Sequence, residues 1–206
     1  MARIVGTALA CGRKAAIVKF WAPLLLCCAA HGATSFLYWI EPCAKAAASG
    51  CRSGDPELAQ WAMGAWQAAS SGGLTAARTS DIERAQIRVH WASGAGGMYG
   101  ETHPILVGGV RGAEVFVLPP NASGQMETLL RDAVVYLTCL HETGHALGLE
   151  HTANFADIMY NFQYGGDIEE YFGRYRRQLS SRADIPKHSG MSPQDRRRLL
   201  RIYGSN

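Results

Sequence analysis

The stretch HETGHALGLEH, residues 141–151, carries three histidines and, directly after the first, a glutamate. On an α-helix His141 and His145 would lie about 40° apart and one turn along, so both imidazoles can reach one metal ion. Gly148 supplies a position where the helix can end with positive φ and the chain can reverse. That reversal would return His151 as a third nitrogen ligand. Three neutral imidazoles with a fourth position left open form the donor set of a catalytic zinc, not of a closed structural site. Glu142 is turned about 100° from His141, where it can hold a metal-bound water and accept its proton without itself being a ligand. Two histidines four apart occur on many helices by accident. Five fixed positions with a glycine at the turn are much harder to obtain that way.

The elements that must position these residues are readable in outline. A long helix runs from about Glu127 to Leu147 and stops at Gly148. Cys139 lies two residues before His141, roughly 200° around that helix, so it faces away from the histidines and reads as a buried free thiol. TSFLYWIEPC, residues 34–43, suits a first strand. Asp55 and Pro56 open a helix, with Asp55 as N-cap, and Leu58, Trp61, Ala62, Ala65, Trp66 and Ala69 give it an apolar face; Ser71-Gly72-Gly73 ends it. AQIRVHW, residues 85–91, alternates as a strand with Ala85, Ile87, Val89 and Trp91 on one face. The glycine-rich SGAGGMYGETHP reads as a loop, followed by short strands at ILV and AEVFVLPP. Pro119 and Pro120 suggest a sheet edge nearby. Ser192, Pro193 and Asp195 make a capping box at the start of a final helix.

The 206 residues suffice for one ordinary domain, and 48 % apolar composition supports a real core rather than disorder. Residues 1–33 read as a secretory signal: Arg3, Arg13, Lys14 and Lys19 precede the apolar run FWAPLLLCCAA and a small-residue cleavage zone. Retention as an anchor is the alternative, against which the shortness of the apolar run argues. The first thirty residues carry four basic and no acidic side chains, so the net charge of +3 falls to −1 beyond them. No global charge therefore points to nucleic acid. In an oxidising compartment Cys43 and Cys51, which enclose a short Ala/Ser/Gly loop, pair as a disulfide.

HETGHALGLEH resembles the extended zinc signature HExxHxxGxxH of the metzincin metalloproteases. DIMY follows, with Met159 where that superfamily has its Met-turn, the tight turn beneath the metal. The short spacing, and the ending MSPQDRRRLLRIYG, are similar to the matrixin branch. The likeness extends over residues 34–206 and is strongest over 127–160. It implies an α+β domain with a twisted mixed sheet, three main helices, and the motif on the active-site helix. It also implies a secreted, monomeric, zinc-dependent endopeptidase that cleaves peptide bonds by metal-activated water. His141, His145 and His151 would hold one Zn2+, Glu142 would be the general base, and Met159 would support the site. A peptide or protein substrate would add as an extended strand along residues 113–118, with AEVFVLP as the upper edge strand of the cleft. No nucleic-acid partner and no stable membrane insertion after signal removal are expected.

The segment from Tyr160 to Gly190 is longer than is usual in that family. Tyr160, Phe162 and Tyr164 are candidates for the wall of a substrate pocket, with core packing as the alternative. Arg174, Arg176 and Arg177 on a solvated helix face are weaker candidates for attracting acidic substrates. Calcium could use Asp167, Glu169 and Glu170, although a solvated acidic turn is the simpler reading. His31, His90, His103 and His188 are scattered and receive no metal role. The cysteine-switch pattern of matrixin propeptides is absent. A zinc-binding module without catalysis would have no use for Glu142.

Overall fold

A computed structural model describes residues 32–44, 46–93, 99–120 and 126–204. Residues 1–33, expected from the sequence to be a secretory signal, lie outside the described residues except for the last two, as does part of the glycine-rich loop. Strands β1 (Thr34–Ile40), β2 (Leu74–Arg78), β3 (Ile87–Trp91), β4 (Gly100–Val107) and β5 (Val110–Val117) form one mixed sheet in the order β2-β1-β3-β5-β4. The neighbours run parallel except β4 and β5, which form an antiparallel hairpin turning at Gly108 and Gly109. Both glycines have positive φ, as a tight hairpin turn requires.

Helices α2 (Asp55–Ala69) and α3 (Thr128–Ala146) pack on one face of the sheet and on each other; α1 (Ala46–Ser49) is a single turn. The period-2 pattern accounts for this. Tyr38, Ile40, Ile87, Val89, Ala113, Val115 and Val117 are all buried, while the intervening Trp39, His90 and Phe116 are partly exposed on the opposite face. Helix α3 is buried almost all round, because α4 (Ile168–Arg176) and a 3-10 turn at Arg182–Lys187 pack against it as well. Cys139 is therefore buried and free although it faces away from the histidines. Helix α5 (Pro193–Tyr203) begins with the expected capping box: Ser192 Oγ accepts from the Gln194 and Asp195 amides, and Asp195 accepts from the Ser192 amide. The architecture is α+β, with four helices longer than two turns where three were expected.

Three sequence expectations need correction. AEVFVLP falls mostly in β5, which is an interior strand between β3 and β4, so residues 113–118 cannot accept another strand. β4 is the edge next to β5, β2 being the opposite edge, and Pro104 sits within β4, where a missing N–H is tolerated. The GETHP segment, expected to be loop, is the first part of that strand. Asp55 is not the N-cap of α2; Gly54 holds that position without a side-chain cap bond. Asp55 instead forms a bidentate pair with Arg131 of α3, both oxygens at 2.8 Å, with each residue only 1 % exposed. Arg131 also donates to the Gly50 carbonyl at 2.9 Å, beside the observed Cys43–Cys51 disulfide. A buried guanidinium needs a carboxylate more than a helix end needs a cap.

Candidate metal centre

The Schellman turn at the end of α3 builds two-thirds of the site. Gly148 has φ 92°, the Gly148 amide donates to the His145 carbonyl, and the Leu149 amide donates to the Gly144 carbonyl, each at 2.9 Å. This turns the Leu149 carbonyl back onto the helix, where it lies 2.9 Å from His145 Nδ1. It also reverses the chain so that His151 faces the two helical histidines. A donation from the Tyr203 hydroxyl to the Leu147 carbonyl at 2.8 Å fastens the turn to α5.

The second support is the turn at Asp157–Tyr160. Thr152 and Tyr160 form a parallel bridge, with the Thr152 amide donating to Met159 and the Asn161 amide to Thr152. The Ile158 carbonyl lies 2.6 Å from His141 Nδ1 and also accepts from the Tyr171 hydroxyl at 3.0 Å. The Ile158 amide donates to Asp195 at 2.8 Å. The Met159 amide, which shares its peptide with the Ile158 carbonyl, donates to the other Asp195 oxygen at 3.5 Å, so the first carboxylate of α5 positions the peptide that orients His141, a link between residues 54 apart in sequence. Met159 is fully buried beneath α3. A Cβ added at Gly144 would lie 2.6 Å from its sulfur and 2.9 Å from the Trp66 ring. Gly144→Ala should therefore overpack the helix under the site and cost about 1–3 kcal/mol in urea unfolding. An unchanged midpoint would show that Met159 and Trp66 yield without strain.

With Nδ1 of His141 and His145 directed at carbonyl oxygens, their Nε2 atoms carry the lone pairs. The three Nε2 atoms of His141, His145 and His151 converge with separations of 3.2, 3.2 and 3.1 Å. Tetrahedral zinc, with Zn–N near 2.0–2.1 Å, places ligand nitrogens roughly 3.3–3.4 Å apart, so the triangle fits such an ion. Burial lowers the pKa of all three, that of His141 to about 3 with help from neighbouring His145, which keeps the rings neutral and able to ligate. His151 is the most exposed, and its Nδ1 lies 3.3 Å from the Asn161 side-chain amide.

Glu142 lies on the same cavity wall as the histidines and is 6 % exposed. The Thr102 hydroxyl of β4 sits 2.7 Å from its Oε2, and Gly100 leaves it room, since a Cβ there would meet the Glu142 side chain at 2.6–2.9 Å. Burial raises its pKa to about 7, with nearby Glu101 adding to the rise and the Thr102 hydrogen bond opposing it. A carboxyl with this pKa can both take and return a proton near neutral pH. Gly100 and Thr102 were not singled out in the sequence. No local pattern marks them, because their role depends on the sheet edge passing over α3.

A cavity of about 640 Å³ opens over the rings. Tyr160 and Phe162 line it together with Tyr99, Ile168, Tyr171 and Phe172, whereas Tyr164 is 66 % exposed and lies outside it. Tyr160 is itself buried, and its hydroxyl donates to the Gly165 carbonyl. The acidic turn has structural employment: Asp167 caps α4 by accepting from the Glu169 and Glu170 amides, and Glu170 pairs with Arg177. Arg176 pairs with Glu127, and Arg174 stacks over Phe155 and Tyr171 while donating to the Phe155 carbonyl. None of these arginines lines the cavity. His90 stacks on Phe116 on the far face of the sheet, and His103 pairs with Glu101. No helix among the described residues is long and apolar enough to cross a membrane. A scan of the chain against protein-family models finds no match, and neither does a search of curated proteins.

Proposed function

We propose that this chain is an exported zinc-dependent endopeptidase of the matrixin-like metzincin type. The observation that carries the reading is the juxtaposition of three converging neutral imidazoles with a buried carboxyl that faces the same cavity and ligates nothing. Zinc bound by His141, His145 and His151 would act as a Lewis acid toward water and a substrate carbonyl.

The work of the protein's own residues follows from their surroundings. The Ile158 and Leu149 carbonyls fix the tautomer and direction of two of the rings. Glu142 accepts a proton from the attacking water at its carboxylate and passes it to the departing amine nitrogen. Thr102 holds that carboxylate against β4 so that it need not be immobilised during the reaction. An extended peptide would lie along β4, the sheet edge that carries Thr102 beside Glu142, rather than along residues 113–118, with backbone hydrogen bonds supplying affinity. The aromatic wall of Tyr160, Phe162, Tyr171 and Phe172 would receive an apolar side chain of the substrate.

Incubation of the zinc-loaded protein with a mixed peptide library, followed by mass spectrometry of the products, tests this. Internal cleavages that vanish on chelation and return with zinc are expected. An uncut library with a fully loaded protein would contradict the reading.

A further inference from the structure

Arg111 stands at the end of the cavity away from the aromatic wall. It is exposed, and its guanidinium nitrogens lie 3.8 and 3.9 Å from where a Cβ on Gly148 would sit, beside the turn that ends α3. Among the described residues lining the cavity it is the only lysine or arginine. It is also without an acidic partner. All 17 acidic residues of the chain fall within the described residues, and none comes within ion-pair distance of Arg111. Arg88, Arg131, Arg176, Arg177 and Arg182 each have a carboxylate partner, and of the described arginines that have none, Arg111 is the one that lines the cavity. A fixed positive charge on the rim of a cleft, left unneutralised by the fold, favours a ligand that brings the opposite charge.

The strand register gives the distance of that charge from the chemistry. Arg111 pairs with Leu106 on β4, and Leu106 is four positions along from Thr102, which touches Glu142. At about 3.3 Å per residue the separation along the strand is roughly 13 Å. A peptide extended along the same edge rises by the same increment.

Resting on the endopeptidase reading, we propose that Arg111 is a specificity-determining residue. It pairs with an aspartate or glutamate that the substrate carries about three to four residues from the cleaved bond, on the side away from the aromatic wall. The bidentate geometry of guanidinium and carboxylate makes this a positional preference rather than a general attraction.

The test uses labelled decapeptides of Ala, Leu and Thr with one Glu, Gln or Lys moved through successive positions. Their binding to the zinc-loaded Glu142→Gln protein is followed by fluorescence anisotropy, and their cleavage by the unaltered protein is followed in parallel. At one position Glu should bind about fivefold more tightly than Gln, the scale of a solvent-accessible ion pair. Arg111→Gln should abolish that difference, and Arg111→Glu should invert it in favour of Lys. Equal binding of Glu and Gln peptides at every position overturns the inference, while cleavage of those peptides leaves the endopeptidase reading standing. Acidic preference in binding without any cleavage sustains Arg111 and overturns the endopeptidase reading. An Arg111→Glu protein that melts earlier yet keeps the preference for Glu would assign Arg111 to the end of α3 and overturn the inference. Absence of binding together with absence of cleavage for every peptide overturns both, whereas cleavage without measurable binding of any peptide overturns the inference alone.

Discussion

Glu142→Ala should retain one zinc per chain and lose peptide cleavage by about a hundredfold to ten-thousandfold, the usual contribution of a positioned acid–base group. The substitution leaves the three imidazoles, the carbonyl partners of His141 and His145, and the Asn161 amide beside His151 untouched, since Glu142 is held by Thr102 rather than by any histidine. It also removes a buried ionisable group whose pKa is raised to about 7 chiefly by desolvation, so folding should not suffer. Glu142→Gln should behave alike, because an amide fills the space and accepts no proton. Turnover within a few-fold of the unaltered protein, with metal content equal, would remove Glu142 from the proposed mechanism.

The largest stability effect is expected at the ion pair that joins α2 to α3. Asp55 and Arg131 are each 1 % exposed, and Arg131 adds a bond to Gly50 and a 3.8 Å approach to Asp132. Removing one partner strands the other charge in the interior, so Asp55→Ala should destabilise the protein by about 3–5 kcal/mol. Replacing both by apolar residues of similar size should cost considerably less, because no unpaired charge is left behind. Urea unfolding of the two single variants and the double variant measures this directly. A single-variant loss below about 1 kcal/mol would mean that solvent reaches the pair.

The legibility of this protein in its sequence depends on the range of the interactions concerned. The spacing of the three histidines is local: helix periodicity fixes His141 against His145, and Gly148 sets the turn that returns His151. Ser192 and Asp195 are likewise readable as a capping box from four consecutive residues. The second task of Asp195, holding the Ile158 amide, was not readable, because 37 residues separate the partners. Strand β2, with the sequence LTAAR, lacks the apolar alternation that marks β3, and its order comes from pairing with β1. The edge of the sheet was misplaced for a related reason. The prolines after β5 end a strand without making it an edge, whereas Pro104 within β4 was the more informative one. Among the aromatic residues after Met159, Tyr160 and Phe162 line the cavity and Tyr164 does not, a distinction set by the Asn161-capped 3-10 turn at Phe162–Tyr164.

The most direct measurement is the metal content of the purified chain from residue 34 to 206, beside that of the same chain carrying His145→Ala. Three nitrogens spaced 3.1–3.2 Å apart should hold one zinc per chain, and loss of His145, which approaches both other ligands, should release it. Folded protein that binds no zinc, or a His145→Ala protein that binds it equally well, would contradict the assignment of a metal centre and the endopeptidase reading built on it.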